Sequence, residues 1–364
     1  MAYNKGIVFL QNQAGLVKTS KINNILLSPL DWGLGHTTRC FPLIDQYLAE
    51  GCRVFIACQP GSASEKMLMQ AYPQITYLPL QGYNITYSRT RKGFIAKIAG
   101  QAPKILSAIR NEHRFVEAAV MRHGIDLVVS DNRYGFYSRK VRSVFITHQL
   151  SIRVPCRFLQ AVVQRINYSF INKFSECLVP DFADKDMNLA GRLSHPEKWP
   201  SIPVKYIGPL SRLKPVPGVE KKYDLLVLLS GPEPQRSILE EKLLEVLPYR
   251  MQRVLLVRGL PNATEKVYCE NVRVENYLGV KDLSQAIAQS EFVLARAGYT
   301  TVMEMICLQK RSILIPTPGQ TEQEYLAKRL HQQQWAFCFS QGDDIQQRLD
   351  QAMQFNFMLP ALQA

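Results

Sequence analysis

Short apolar runs separated by longer stretches of helical period dominate this chain, and the pattern starts twice. In the first half the runs fall at 25–28, 54–57, 75–78, 127–130, 143–147 and 177–179, with helical patterns at 36–50, 62–70, 93–122 and 158–173 between them. Strands that alternate with helices in this way argue for βαβ units and a mostly parallel sheet. The rhythm breaks over 181–222, where six prolines (196, 200, 203, 209, 215 and 217) and a cluster of charges occur without a long apolar run. It resumes at 224–229, an almost wholly apolar strand of the kind found when both faces of a sheet are covered. Further strands are expected at 253–257, 272–274, 292–295 and 312–315, with helices at 235–246, 281–289, 299–308, 322–333 and 343–353. The fold class is therefore α/β, with two Rossmann-like parallel-sheet domains.

The boundaries follow from the same pattern. Residues 1–24 form an extension of undecided structure, 25–207 a first α/β domain and 208–222 a connection. Residues 223–340 form a second domain, and 341–364 carry a helix expected to pack near the domain interface. At 364 residues the chain exceeds what one open α/β core usually supports, which agrees with two domains. Two such halves facing each other would enclose a cleft at their strand ends, where ligands of these folds usually lie.

The bulk composition narrows the partners. A net charge of +14 favours anionic ones: nucleotides, nucleic acid or an acidic membrane surface. No RNA- or DNA-binding motif and no extended aromatic and basic stripe is visible, so nucleic acid is disfavoured. The eight cysteines form no Cys-x-x-Cys pair and several sit in apolar runs, as expected for buried thiols in a reducing compartment. The six histidines show no short metal-binding spacing, and no metal site is expected. The first 24 residues lack the features of a signal peptide, and no run of 18 uncharged apolar residues occurs. The expected location is the cytoplasm. Lys92, Lys97, Lys104 and Arg110, interleaved with Phe94, Ile95, Ile98 and Ile105, add a cationic amphipathic stretch suited to peripheral contact with the cytoplasmic face of the inner membrane. An ordinary core-facing helix accounts for its apolar part nearly as well.

The residues suited to chemistry lie just past strand ends. Asp31 to Arg39 comes after the first strong strand, with Gly33 and Gly35 able to turn the loop tightly. His36 would lie near a helix N-terminus, where the dipole disfavours imidazolium, so a neutral ring is available as a general base. A capping or packing role is its plainer reading. The two glycines fall short of a dinucleotide fingerprint, since Thr38 stands at the third glycine position. Asp131 and His148 also lie just past strand ends, placed to assist His36 or to touch an acceptor. In the second half, backbone donors around Ser230 and Gly231 suit a diphosphate, although Pro232 and Pro234 remove two donors.

The more specific group is Arg296, Gly298, Thr300, Thr301 and Glu304, a strand running through a glycine turn into a helix. Its first turn has N–H groups without intrahelical partners, which suit phosphate. Glu304, four residues after Thr300, would share its face, and a carboxylate there suits the paired hydroxyls of a ribose. Gln320 and Gln323, after the 312–315 strand, suit sugar hydroxyls, while a capping box from Thr321 to Glu324 is the plainer account of that loop.

On these motifs the chain resembles GT-B glycosyltransferases, in particular glycosyltransferase family 28 and the N-acetylglucosaminyltransferase type that completes the lipid-linked peptidoglycan precursor. The glycine-rich loop ending in histidine is matched by Gly33-Leu34-Gly35-His36. The family's Arg-Ala-Gly-x-x-Thr-x-x-Glu segment is kept in full from Arg296 to Glu304. The Gly-Gly-Ser-type loop is matched only in part by Leu229-Ser230-Gly231, the Gln-Gln pair only at Gln323, and the histidine-glutamine element loosely by His148-Gln149. The resemblance spans about 25–340, strong in the second domain and loose in the first, where such enzymes bind acceptors. It implies a GT-B fold and a nucleotide-sugar donor, commonly with uridine diphosphate, which Glu304 would hold by its ribose. It further implies no bound metal or other cofactor, inversion at the anomeric centre, and a sugar or lipid-linked acceptor. A nucleotide-sugar epimerase and a non-catalytic nucleotide-sugar-binding protein are the alternatives.

Overall fold

The structure is a computed structural model that describes residues 22–362 apart from 32, 84–90 and 153–156; the side chains of 91–99, 157–159 and 250 are not described. Most of the 1–24 extension lies outside the described residues, as do the side chains of Lys92, Phe94, Ile95, Lys97 and Ile98. The chain divides into two compact units, Met1–Leu210 and Ser211–Ala364.

The first unit is built on a seven-stranded sheet of β1 (Asn24–Pro29), β2 (Arg53–Cys58), β3 (Thr76–Pro79), β4 (Leu127–Asp131), β5 (Arg142–Ile146), β6 (Glu176–Val179) and β7 (Val204–Tyr206). The strand order is β3-β2-β1-β4-β5-β6-β7 and every pairing is parallel. Its helices are α1 (Leu34–Ala49), α2 (Ala63–Ala71), α3 (Arg91–His123) and α4 (Arg157–Ile171). Ile25, Leu26 and Leu27 are all fully buried, although successive side chains leave opposite faces of a strand, so both faces of the sheet are covered. One of these faces gathers Leu26, Phe55 and Val128 with Val116 and Val120 of α3.

The second unit repeats the plan with β8 (Tyr223–Leu228), β9 (Val254–Val257), β10 (Val272–Glu275), β11 (Ser290–Arg296), β12 (Ser312–Ile315) and β13 (Phe337–Cys338), in the order β10-β9-β8-β11-β12-β13. These pairings too are all parallel. The helices are α5 (Gln235–Arg250), α6 (Val280–Gln289), α7 (Tyr299–Cys307), α8 (Thr321–Gln332) and α9 (Ile345–Met353). Leu225, Val227, Leu239, Leu243, Leu294 and Ile313 form the centre of its core, each fully buried. At about 1.5–3 kcal/mol for each large aliphatic side chain taken from water, this cluster alone offsets much of the chain entropy of the strands that carry it. The carboxy-terminal segment belongs to the same core: Ile345 and Leu349 of α9 are buried in it, and Phe355 and Phe357 pack against it.

In both units the strand order reverses direction beside the first strand, between β1 and β4 and between β8 and β11. Loops leaving the carboxyl ends of those strands part there and leave a crevice, the usual ligand position in open parallel sheets. Two strands, β7 and β13, have no counterpart among those expected from sequence. Both are edge strands of two or three residues, and β7 comes directly after Pro203, so neither has the length or the apolar density that marks a buried strand.

Candidate active site

In the first unit the site starts from strand register. Pro29 at the end of β1 pairs with Asp131 at the end of β4, which pairs with Ile146 at the end of β5. The three strands therefore end level, and the loops that leave them emerge at one place. Gly33 turns the chain out of β1 with φ 101, in the region that favours glycine, and α1 begins at Leu34. Gly35, in contrast, lies inside the first turn of α1. His36 and Arg39 are three residues apart, so they share the face of α1 that looks onto Asp131.

His36 Nδ1 lies 3.0 Å from Asp131 Oδ2. Arg39 lays its fork on the same carboxylate, with Nε 2.9 Å from Oδ1 and 3.0 Å from Oδ2 and a further bond from its terminal nitrogen. Its other terminal nitrogen reaches His148 Nδ1 at 3.2 Å. Asp131 is fully buried, Arg39 and His148 nearly so, while the His36 side chain keeps 18% of its exposure. Arg39 also approaches His36 Nδ1, at 2.9 Å. A guanidinium only donates and a carboxylate only accepts, so a proton on Nδ1 directed at Asp131 is the arrangement that satisfies both partners of the carboxylate. That tautomer leaves Nε2 with its lone pair.

The charges set the basicity. Burial works against the Asp131 charge, but Arg39 and His36 outweigh it and hold the carboxyl below its ordinary range. Burial, reinforced by the Arg39 charge, pushes the His36 pKa below its ordinary value even though Asp131 pulls the other way. The ring is therefore neutral near pH 7, as a proton acceptor must be. Of the expected residues, Asp131 can assist His36 but is too buried to touch an acceptor, and His148 meets Arg39 through its Nδ1, while its charge also helps to lower the His36 pKa. Arg39 was not among the residues expected from sequence; its spacing from His36 on one helix face was the available signal. Beneath these loops Arg133, fully buried, binds Glu112 at 2.7 Å and the carbonyls of Pro29 and Gln81, each at 3.2 Å, tying the ends of β1 and β3 to the turn after β4.

In the second unit Ser230 and Gly231 come after β8 and are exposed, with Gly231 at φ 103. Beside Gly231 lies Thr317, whose hydroxyl is buried and has no hydrogen-bond partner among the described residues; a Cβ on Gly231 would lie 3.8 Å from it. Thr317 was not among the expected site residues, although its place just past β12 was the cue. Gly298 sits at the N-cap of α7 with no side-chain cap, and a Cβ built there would meet nothing within 4 Å. Thr300 and Thr301 in the first turn are partly exposed.

Glu304, one turn on, is 8% exposed and has Arg212 Nε 3.4 Å from its Oε1. Burial raises its pKa, and Arg212 opposes the rise. Gln323 accepts from the Thr317 amide at 2.8 Å and donates to Gln320 Oε1 at 2.6 Å, so the two glutamines shape one loop together. The capping box at Thr321 does not form. Helix α8 starts at Thr321 with Gln320 as N-cap, and Glu324 instead accepts from the Gly319 amide at 3.2 Å.

Arg296 turns inward rather than toward the loops' open side. It is 2% exposed and donates to Gln235 O at 2.6 Å and Gln341 Oε1 at 2.7 Å, with longer contacts to the carbonyls of Ile315 and Pro316. With no carboxylate among these partners, burial lowers its pKa to about 10. Its guanidinium ties the start of α5 to the end of β12 and to Gln341, so a direct hold on a ligand is not what its geometry offers.

Two parallel sheets of Rossmann order, each with polar side chains at its switch point, are the architecture of the GT-B fold. Comparison with known proteins carries this further. Residues 235–358 match the glycosyltransferase family 28 C-terminal domain. An uncharacterized glycosyltransferase of Methanosarcina mazei is 24% identical over 322 residues, covering 80% of this chain and 79% of that protein. A UDP-N-acetylglucosamine–N-acetylmuramyl-(pentapeptide) pyrophosphoryl-undecaprenol N-acetylglucosamine transferase of Sorangium cellulosum is 33% identical over 87 residues, 23% of this chain and 22% of its own. Among solved structures, a glycotransferase of kitacinnamycin superposes with a TM-score of 0.64 at 16% identity, covering 92% of this chain and 90% of the other. The protein is a GT-B glycosyltransferase related to family 28. The family match begins at residue 235 and so takes in Arg296 to Glu304, Gln320 and Gln323 but not the Ser230 or His36 loops.

Proposed function

We propose that the protein transfers a sugar from a uridine diphosphate donor to an acceptor hydroxyl, with inversion at the anomeric carbon and no cofactor beyond the donor. The observation that carries this reading is the 3.0 Å contact between His36 Nδ1 and buried Asp131, with Arg39 on the same carboxylate. A protein that only bound nucleotide sugars would have no use for a polarised, partly exposed imidazole kept neutral by its surroundings.

In the proposed reaction His36 Nε2 removes the proton of the acceptor hydroxyl as its oxygen attacks the anomeric carbon. The bond from that carbon to the diphosphate breaks, and the diphosphate leaves with the electron pair. Asp131 stabilises the imidazolium that forms, and Arg39 keeps Asp131 ionised. The second unit holds the donor. Glu304 accepts from the ribose diol; the Ser230–Gly231 loop, the Thr317 hydroxyl and the first turn of α7 receive the diphosphate and stabilise its growing charge. Gln320 and Gln323 contact the sugar, and Arg296 positions the loops rather than the ligand. The relative from Sorangium cellulosum, by its name, takes a UDP-linked sugar to a lipid-linked acceptor, which supports uridine diphosphate and a lipid-linked acceptor here.

The same acceptor class fits the surface of the first unit. Val162 and Ile166, one turn apart on α4, are 48% and 52% exposed beside exposed Arg165, and α3 exposes Leu106, Lys104 and Arg110. Apolar side chains among cations suit the surface of an anionic membrane, at the cytoplasmic face. No described helix is long and apolar enough to cross one.

A panel of nucleotide sugars screened by thermal shift, then incubated with lipid-linked and soluble acceptors, tests the reading. Uridine donors are expected to raise the melting temperature and to yield a glycosylated product. A chain that no nucleotide sugar stabilises, or one that interconverts sugars without an acceptor, defeats it. Sedimentation with anionic liposomes at low salt tests the membrane contact, and failure to bind there removes it.

A further inference from the structure

Glu304 is not held by its own helix. Among the described residues its carboxylate has one hydrogen-bond partner, Arg212, which comes from the segment that leads into β8. Both side chains are 11% exposed, so the pair lies largely out of water, where a charge without its counterpart is costly. The segment that presents Arg212 is itself fixed. Ser211 Oγ accepts from the Leu213 amide and donates to the Leu213 carbonyl, each at 3.1 Å, closing a tight turn around Arg212, and Leu213 is 4% exposed. The neighbours of Glu304 along α7 (Val302, Met303, Met305 and Ile306) are buried and carry no charge to counter it. Cys307, in the same helix, has its thiol pKa raised by burial and by the Glu304 charge.

We infer that Arg212 is a positioning residue for nucleoside recognition: its guanidinium keeps the Glu304 carboxylate charged and oriented, so that the nucleotide donor meets a ready acceptor for its ribose diol. The inference rests on the donor-site reading of Glu304. Arg212 takes Oε1 through Nε, which leaves Oε2 to accept from the ribose. Because burial raises the pKa of Glu304 and Arg212 counters it, the pair also determines the pH below which the grip on ribose is lost. A protonated carboxyl would present a donor to hydroxyls that can find a stronger acceptor in water, so affinity falls as pH drops through the folded pKa.

The test is the affinity for uridine diphosphate, measured by calorimetry from about pH 5 to about pH 8, the span in which a buried carboxyl titrates. It is run on the full chain and on Arg212→Met, Arg212→Lys and Glu304→Gln, each checked for a cooperative thermal transition. Wild type is expected to lose affinity on acidification. Arg212→Met should bind more weakly than wild type even at alkaline pH, where the carboxylate is charged but no longer oriented, and the deficit should widen on acidification, by about tenfold for each unit by which the Glu304 pKa rises. Arg212→Lys should restore the wild-type curve, and Glu304→Gln should be weak and flat. Arg212→Gln serves the same comparison if the methionine variant does not fold. An Arg212→Met curve that overlies wild type, or runs below it by a constant factor at every pH, overturns the inference and leaves the donor site standing. If wild type binds no uridine nucleotide at any pH, the donor-site reading falls with it.

Discussion

At the scale of single residues the first unit turns one carboxylate to two uses. Asp131 pairs with Arg39 to keep its charge in the interior and with His36 to orient the imidazole. In the proposed reaction the His36 side chain must be unprotonated, and its pKa is lowered by burial and by Arg39. The rate should therefore be full at neutral pH and should fall on acidification only below the ordinary histidine value of about 6.5. A profile of kcat/KM against pH checks this, and an acid limb above that value counts against His36 as the base. Replacing His36 by alanine should reduce kcat by roughly 10²–10⁴-fold, the span usual for a lost general base, while calorimetry shows the same affinity for uridine diphosphate. His36 and Glu304 were visible in sequence because each stands at a fixed offset from a strand end. Arg39, Arg212 and Thr317 were not singled out, because their roles arise from contacts across 92, 92 and 86 positions of chain, to Asp131, Glu304 and Gly231.

At the scale of elements, two turns that follow strands leave no room for a side chain. Gly259 comes after β9 at φ 71, and a Cβ there would lie 2.2 Å from the carbonyl of Leu229, just past the end of β8. Gly135, after β4, would place a Cβ 2.1 Å from the Ile109 carbonyl of α3. Alanine at either position should destabilise the chain by about 1–3 kcal/mol, the usual cost of overpacking or of a strained backbone. Gly100 lies within α3 with nothing within 4 Å of its Cβ direction. Alanine there should stabilise by about 0.4–1 kcal/mol through the unfolded chain. Urea denaturation of the three variants checks the signs, and equal shifts at all three positions would contradict the packing account. The long, strongly patterned elements were legible in sequence because burial on two faces leaves continuous apolar runs. The short edge strands β7 and β13 and the start of α8 were not, since a neighbouring strand or loop decides them rather than their own composition.

At the scale of the whole molecule, each unit has its own sheet, helices and core, and the second includes its carboxy-terminal helix and Phe355 and Phe357. Residues 211–364 produced alone should therefore melt cooperatively and bind uridine diphosphate, as a domain with a complete core does. Loss of a cooperative transition, or a folded fragment indifferent to the nucleotide, would refute that independence. The amino-acid sequence alone determined the doubled βαβ plan with its two parallel sheets, because periodicity and apolar runs are local properties. Only the tertiary structure decided which charged groups share a carboxylate, that Arg296 turns inward to carbonyls, and that Glu304 takes its partner from the segment before β8. Those outcomes depend on strand register and helix facing, which bring distant residues within 3.5 Å of one another and have no trace in the order of the residues themselves.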